Sequence, residues 1–399
     1  MTTEKLLEIV QKAAGVRLRI RLQPLYGQGE IVFPSTYSGG KYLISERRVS
    51  GYEQAVECAI LDSVQSQANR MEEALLEDIR TNMIFVPHVE TDFSSTQGLT
   101  KPIGKLTCFE CPHRIFDAIL RDSVTDQELP FPLSEEGKAA INANAKNSTA
   151  IFGISPASLL FGSWDSTGVN GGLGEKYARC VVSEIVGINA LQASRAGTRI
   201  DPLNAAGAIN PEEILKSTKD AMWALLSKSK KNKVKKPSEL NHGSVPWDGG
   251  TEKMPHGGVT VDYIQQSTAV SFSALRQLQF PVAGRDTRQT SSKAHAVLAA
   301  LALHSVALNV EKGWHLRSRC DLVLDQADAE FEILGAEASR ETFKMAAAKT
   351  RELLNATIRE AKESGLPWRE EPVRLKPSKA LEQLVFISQQ THRTSAAEE

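Results

Sequence analysis

The stretch from Leu159 to Ile188, LLFGSWDSTGVNGGLGEKYARCVVSEIVGI, places Gly168, Gly171, Gly172 and Gly174 between two apolar runs. We predict a strand before these glycines and an amphipathic helix that begins at about Glu175. Glycines permit positive φ and leave backbone N–H groups bare, and a helix N-terminus attracts anions. The stretch therefore predicts a phosphate-binding site.

Two cations support this hypothesis, because Lys176 and Arg179 would lie in the first turns of the predicted helix, where positive charge opposes the helix dipole. An external polyanion explains their presence there. The alternative is a loop that only turns the chain tightly, with Trp164 packed in the core. The stretch does not match a nucleotide P-loop, since no Gly-Lys-Ser/Thr follows four residues after a glycine.

Composition indicates a globular protein with enough apolar residues for a large core: 41% of the 399 residues are hydrophobic and 24% are charged. The formal net charge of −1 excludes a uniformly basic nucleic-acid coat, so a polyanion must be held by local patches. Five cysteines, mostly in apolar runs, suit a reducing compartment. We expect a cytoplasmic protein, with no signal peptide and no membrane association, because the longest apolar run (Ala294 to Val310) is interrupted by polar residues.

An early strand carries arginine on alternate positions. Val16, Leu18, Ile20 and Leu22 alternate with Arg17, Arg19 and Arg21, which predicts a strand with one apolar and one arginine face. The arginine face either binds a polyanion or protects the edge of a sheet.

A strand over Val56 to Ile60 leads into a helix that Asp62 or Ser63 caps and whose apolar stripe runs from Val64 to Ile79. Its first turns present polar groups on the outward side, namely Gln65, Ser66, Asn69 and Arg70. These groups either bind a sugar-phosphate backbone or form a solvated face on which Arg70 pairs with Glu73.

Residues 85 to 147 are rich in proline and polar residues, which is typical of an insertion on a sheet. The segment contains Cys108-Phe-Glu-Cys111-Pro-His113-Arg114. This resembles half of a zinc site, but the chain has no second pair of ligands at suitable spacing, so no metal is expected. His113 and Arg114 are instead placed to contact a phosphate or a neighbouring chain.

Beyond the glycines, Arg195 and Arg199 lie in a basic segment of small residues without apolar periodicity. A run of six lysines follows at Lys228, Lys230, Lys231, Lys233, Lys235 and Lys236. Such a run is typical of a solvated loop, and it would bind a polyanion with strong salt dependence. Later elements are a strand at about 270–278, a helix at 291–309, a strand at 316–324 and a helix at about 338–363 with a polar tail, which together indicate a mixed sheet with helices.

Several segments in order resemble the CRISPR-associated RAMP proteins that form the backbone of type I-G (formerly I-U) Cascade-like surveillance complexes. The resemblance lies in ERRVSGYEQAVECAILDSVQSQANRMEEALL, CPHRIFDAILRDS, AIFGISPASLLFGSWDSTG, GGLGEKYARCVVSEIVGI and ASRAGTRIDPL. It covers most of residues 46 to 203 and is weaker in the late strand and helix. It implies an α+β fold, a modified RNA-recognition (ferredoxin-like) palm with finger and thumb insertions and a C-terminal helical segment.

The same resemblance implies boundaries: palm at 1–84, 148–189 and 261–337, finger at 85–147, a flexible basic thumb at 190–260, and a C-terminal helix and tail at 338–399. It also implies the partners of such a subunit. These are CRISPR RNA, target DNA, further copies of the chain, other subunits of the complex and a recruited helicase-nuclease, with no cofactor.

The implied RNA-binding residues are Arg47, Arg48, Gln65, Ser66, Asn69, Arg70, Arg114, Lys176, Arg179, Arg195 and Arg199, and the six lysines of the run are the DNA-contact candidates. The predicted sheet lacks the paired aromatic residues of a base-stacking module. The competing hypothesis is a metal-dependent RNase of a CRISPR effector complex, with Asp62 and Asp165 as candidate acids. No dense carboxylate cluster supports it, so we expect no enzyme activity.

Overall fold

The computed structural model describes residues 1–38, 41–168, 174–193, 257–325, 329–335 and 340–398, with two short strands at 214–216 and 223–225. The predicted contacts of Gly171, Gly172, Arg195, Arg199 and the six lysines lie outside these residues.

Ten α-helices are present in this part of the chain. They are α1 (Thr3–Lys12), α2 (Val64–Arg80), α3 (Ala118–Arg121), α4 (Glu135–Ile141), α5 (Thr149–Ile154), α6 (Pro156–Phe161), α7 (Phe272–Leu275), α8 (Thr287–Glu311), α9 (Ala347–Glu363) and α10 (Lys379–Glu398).

The strands of the main sheet are β1 (Gly15–Pro24), β4 (Ile44–Arg47), β5 (Val56–Asp62), β11 (Val181–Ile188), β16 (Tyr263–Ser271), β17 (Trp314–Arg317), β18 (Cys320–Leu324), β19 (Phe331–Leu334) and β20 (Arg340–Phe343). A second sheet contains β6 (Val89–Asp92), β7 (Lys105–Thr107), β8 (Ser123–Val124) and β21 (Val373–Pro377). Short strand pairs are β2 (Thr36–Tyr37) with β3 (Lys41–Tyr42), β9 (Ser163–Trp164) with β10 (Lys176–Tyr177), β12 (Leu191–Gln192) with β15 (Val259–Thr260), and β13 (Ile214–Lys216) with β14 (Trp223–Leu225).

The nine-stranded main sheet is antiparallel, in the order β17-β18-β1-β16-β11-β5-β4, and β19 also pairs with β1 and β20. The apolar face of β1 is buried in the core. The arginine strand is therefore an interior strand, with β16 on one side and β18 and β19 on the other. The edge-protection hypothesis is wrong, because β1 has no open edge along these contacts.

The helices α2 and α8 pack on the apolar face of this sheet, and α1 and α9 pack against α8. The central helix is α8, which packs against the other three. Among the described residues it is the one helix long and apolar enough to cross a membrane by length and composition, and 89% of its apolar window is buried inside the protein. Its apolarity is explained by that central position.

In the stretch 159–188 a helix precedes the glycines and strands follow them, which is the reverse of the predicted order of elements. The apolar run before the glycines is the end of helix α6, which Pro156 begins and Gly162, at φ +83°, terminates. The segment predicted as a helix is β10 followed by β11, whose residues alternate between the two faces of the main sheet. The predicted anion site at a helix N-terminus is therefore wrong, since no helix begins at Glu175.

The C-terminal region also differs from the prediction. The strand expected at 270–278 lies earlier, as β16, and α7 follows it directly. The segment expected to be a helix from 338 begins as β20. Beyond α9 the predicted polar tail contains β21 and α10, and β21 pairs in parallel with β6 of the 85–147 segment. The tail and that segment thus share one sheet.

Three buried histidines make stability depend on pH. Burial lowers the pKa of His88, His295 and His304 below the ordinary value. His304 lies between α2 and α9, where its Nε2 is 3.2 Å from Asp78 Oδ2 and its Nδ1 is 2.9 Å from Thr350 Oγ1. In the unfolded chain histidine takes up protons at about pH 6.5, before these folded residues do.

We therefore expect the free energy of unfolding to be fully retained above about pH 6.5 and to fall as the pH decreases below it. The slope is at most about 1.4 kcal/mol per pH unit for each histidine. Urea denaturation at pH 7.5 and 5.5 measures it. His304→Gln should reduce the slope, and a slope equal to that of the wild type would contradict this role of His304.

Candidate nucleic-acid interface

The face of the main sheet opposite the helices, which we call the open face, carries the alternate side chains of each strand. The register places Arg17 beside Ala269 and Glu332, Arg19 beside Ser267, and Arg21 beside Gln265. Because neighbouring residues of a strand point to opposite faces, these side chains lie away from the core that contains Leu18 and Ile20.

Two ion pairs border the open face. Arg17 Nε donates to Glu332 Oε2 at 2.9 Å, and Arg47 Nη1 donates to Glu184 Oε2 at 2.8 Å. Arg19 is exposed and has no hydrogen bond or ion pair with another described residue. The free positive charge of β1 therefore lies beside the neutralised Arg17 on the same strand.

Arg21 is exposed and held in a defined orientation. Its guanidinium carbon lies 3.3 Å from the centroid of the Tyr263 ring, a stacked cation–π contact that leaves the N–H edge free. Arginine in this geometry can donate two parallel hydrogen bonds to a phosphate. Arg19 and Arg21 are two residues apart on one strand, which gives a short row of phosphate-binding groups.

A loop closes one end of the open face. Tyr52 Oη donates to Asp262 Oδ2 at 2.7 Å, and Val49 and Tyr52 pack against a small apolar cluster that includes Cys58 and Ile60. Burial, followed by the contact with Asp262, raises the pKa of Tyr52 to about 12. Arg48, at the start of this loop, is exposed.

Three arginines that the sequence assigned to RNA are used inside the protein. Arg70 Nε pairs with Asp62 Oδ2 at 3.0 Å, and its other nitrogens donate to the carbonyls of His315 and Leu316. Arg179 is half-buried and donates to the carbonyl of Phe161. The alternative in which Arg70 pairs with Glu73 is wrong, because its carboxylate partner is Asp62.

Arg114 is the most buried of the three. Its Nε and Nη2 bind the two carboxylate oxygens of Glu72, each at 2.6 Å, and its Nη1 donates to the carbonyl of Gly162 at 2.7 Å. The side chains of Arg114 and Glu72 are 7% and 1% exposed. Burial raises the pKa of Glu72, and the guanidinium opposes that shift. This geometry gives Arg114 no surface for a phosphate.

The remaining predicted residues do not form one site. Gln65 and Asn69 are exposed and Ser66 is half-buried on α2, which lies on the helical side of the sheet, whereas Arg47 and Arg48 lie on β4 and just after it. Lys176 on β10 stands over the ring of Trp164 at 5.3 Å from its centroid. Trp164 is 45% exposed, so its predicted core packing is wrong.

The acidic and metal-ligand candidates are buried in the fold. Asp62 accepts from Gln67 and Arg70, and Asp165 is buried against Gly168 and Gly174. Cys108 and Cys111 are buried, and burial raises the pKa of both thiols. In the described part of the chain, no three His, Cys, Asp or Glu side chains are grouped to hold a metal ion.

Arg19 and Arg21 belong to the arginine face that the sequence predicts for β1, but they are not among the predicted RNA-binding residues. The alternation of arginine with apolar residues along β1 was the available signal. The alternation could not show that β1 is an interior strand, or that Arg19 and Arg21 have no acidic partner among the described residues whereas Arg17 pairs with Glu332.

The fold and the cationic open face define an antiparallel α+β protein with a surface suited to a polyanion. Residues 16–192, a little under half of the chain, match the family model described as CRISPR-associated protein GSU0053. Over these residues the chain is similar to CRISPR-associated proteins, and this similarity indicates a role in a CRISPR system. No curated protein matches the sequence.

The internal role of Arg114 gives a direct test. Arg114→Ala leaves Glu72 buried and unpaired, so we expect the free energy of unfolding to fall by about 3–5 kcal/mol. Arg80→Ala is the control, because Arg80 pairs with Glu110 at the surface with 57% of its side chain exposed, and should cost under about 1 kcal/mol. Chemical denaturation measures both, and unchanged stability in Arg114→Ala would restore the RNA hypothesis for this residue.

Proposed function

We propose that the protein is a non-catalytic, guide-RNA-binding backbone subunit of a type I-G surveillance complex in the cytoplasm. Copies of the chain stack along CRISPR RNA and present it for pairing with target DNA, together with other subunits and a recruited helicase-nuclease. The observation that carries this proposal is the family match over residues 16–192, since that segment contains β1, β4, β5, α2 and β11.

The topology supports a modified RNA-recognition palm. Four neighbouring antiparallel strands lie in the order β18-β1-β16-β11. Along the chain, α2 lies between β1 and β11 and α8 between β16 and β18, and both helices pack on one face. Apart from β5, which precedes α2, this order resembles the strand–helix–strand–strand–helix–strand arrangement of a ferredoxin-like domain and so supports the proposal. The segment between β12 and β15, which the sequence assigns to a thumb, lies largely outside the described residues.

The open face supports RNA binding through the sugar-phosphate backbone. Free guanidinium groups on Arg19 and Arg21, with hydroxyl and amide groups on Ser267 and Gln265, contact phosphate and sugar without distinguishing bases. A guide must keep its bases available for pairing, so this mode of contact fits the proposed role.

The internal partners of Asp62, which are Gln67 and Arg70, support a non-catalytic role over the metal-dependent RNase. A metal-activated water needs carboxylates that are free to bind the ion. RNA incubated with purified protein and Mg²⁺ or Mn²⁺ should stay intact. Cleavage lost in Asp62→Asn or Asp165→Asn would support the RNase instead.

RNA affinity tests the open face. Arg19→Ala combined with Arg21→Ala removes two phosphate contacts, so the slope of log K against log salt should become smaller by about 1.4 for single-stranded RNA. Binding should weaken similarly for unrelated sequences. Fluorescence anisotropy at several salt concentrations measures the slope.

The matched control combines Arg285→Ala with Arg359→Ala, which removes two exposed arginines that do not lie on the open face. A second comparison combines Gln65→Ala with Asn69→Ala on the helical side. If the Gln65→Ala and Asn69→Ala variant binds RNA more weakly and the Arg19→Ala and Arg21→Ala variant does not, the RNA lies on the helical side. The predicted RNA-binding residues on α2 imply that arrangement.

Guide-dependent assembly tests the backbone role. RNA phosphates should neutralise the arginines of the open face and so reduce the repulsion between neighbouring copies. Each copy should then cover a fixed segment of RNA, and the mass of the particle should rise stepwise with RNA length. Light scattering on RNAs of graded length measures the mass. A mass independent of RNA length would reject stacking while leaving RNA binding in place.

A further inference from the structure

The open face carries two neutral polar side chains beside its two free arginines. Ser267 on β16 lies opposite Arg19 of β1, and Gln265 lies opposite Arg21. Both polar side chains are half-buried, so each has a part that is accessible to solvent. Because paired strands are about 4.8 Å apart, a group that binds the arginines lies next to these polar side chains.

The two polar side chains are hydrogen-bonded to each other. Gln265 Nε2 donates to Ser267 Oγ at 2.9 Å. This bond leaves the hydroxyl hydrogen of Ser267 and the amide oxygen of Gln265 without partners among the described residues. Reversal of the amide group would still leave one donor and one acceptor available. The pair therefore presents a donor and an acceptor side by side at the surface.

Free cations lie on the β1 side of this pair. On the other side is β11, where Glu184 lies opposite Ser267 and Val186 lies opposite Gln265. The strand β11 has no lysine or arginine, and the nearby Arg47 is already paired with Glu184. A phosphate therefore favours the β1 side, and the part of a nucleotide that extends from there onto β16 is the neutral sugar.

We propose that Gln265 and Ser267 bind the ribose 2′-hydroxyl and so make the open face select RNA over DNA. A 2′-hydroxyl is both a donor and an acceptor, and it donates to Gln265 Oε1 and accepts from the hydroxyl of Ser267. Deoxyribose has only hydrogen at this position, so DNA of the same sequence loses both hydrogen bonds. The inference rests on the proposed function, since Arg19 and Arg21 must hold the phosphates on the same face.

Binding of oligouridylate and oligodeoxyuridylate, which differ only at the 2′ carbon, tests this selection. Fluorescence anisotropy of the full-length protein at one fixed salt concentration measures both affinities. We expect the wild type to bind the RNA at least about fivefold more tightly, because two neutral hydrogen bonds are lost with DNA. In Gln265→Ala combined with Ser267→Ala, the RNA affinity should fall to about that of DNA while the DNA affinity stays unchanged.

Two further variants serve as controls. Ser267→Thr keeps the hydroxyl donor and should keep the preference for RNA, whereas Ser267→Ala alone should reduce that preference. Gln383→Ala combined with Ser388→Ala removes an exposed amide and an exposed hydroxyl from α10, which does not lie on the main sheet. This second control should change neither affinity, and circular dichroism checks that each variant is folded.

The outcomes separate this inference from the proposed function. Absence of RNA binding, or an RNA affinity unchanged by Arg19→Ala with Arg21→Ala, would contradict the proposed function and this inference together. RNA binding that depends on both arginines but is no tighter than DNA binding would overturn the inference alone. A preference for RNA that is the same in the wild type and in Gln265→Ala with Ser267→Ala would also overturn it.

Discussion

The buried ion pair between Glu72 and Arg114 is the interaction on which the arrangement of this fold most depends. It joins three parts of the chain, since Glu72 lies on α2, Arg114 lies in the 85–147 segment and the carbonyl of Gly162 accepts the third hydrogen bond. Arg114 also adopts a positive φ of 53°, a conformation that non-glycine residues rarely adopt. The pair holds that strained backbone in place, and with it the entry into α3 and the end of α6.

A second polar network links the sheet to the helices. Gln67 on α2 accepts hydrogen bonds from Ser183 on β11 and Gln266 on β16, and Trp314 on β17 donates to Gln266. Because these groups are buried, each must be satisfied within the fold. The network therefore holds α2 in a fixed position on the strands that carry the open face. Contacts on the helical side of the sheet thus help to fix the positions of Arg19 and Arg21 on the opposite side.

Sequence analysis predicted the elements with clear periodicity. The alternation of β1, the apolar stripe of α2 with its Ser63 cap, and the long α8 are all confirmed. It failed at 159–188, where a short apolar run fits a strand or a buried helix equally well. Pro156 was the signal for the helix start. The C-terminal end of β11 is buried on both faces, so its sequence lacks the alternation of apolar and polar residues that would have indicated a strand.

Site residues were harder to predict than elements because partners distant in sequence decide what an arginine does. Arg70 and Arg114 resemble surface cations by local spacing, yet their acceptors lie on other elements of the fold. Gly168 and Gly174 have a similar explanation: a Cβ at either position would lie within 2.2 Å of an atom of Asp165. The close approach of Asp165 requires glycine at both positions, which accounts for them without an anion.

In the proposed function, the distribution of charge on the open face would allow a chain of net charge −1 to hold a polyanion. Glu332 and Glu184 neutralise Arg17 and Arg47, whereas Arg19 and Arg21 have no acidic partner among the described residues. A phosphate that binds the two free arginines breaks no existing ion pair, and so avoids leaving a carboxylate unpaired. Because Arg17 and Arg47 are already paired with carboxylates, they would compete less for a phosphate than Arg19 and Arg21 do. Placement of the acidic residues would therefore decide which arginines of this face a polyanion contacts.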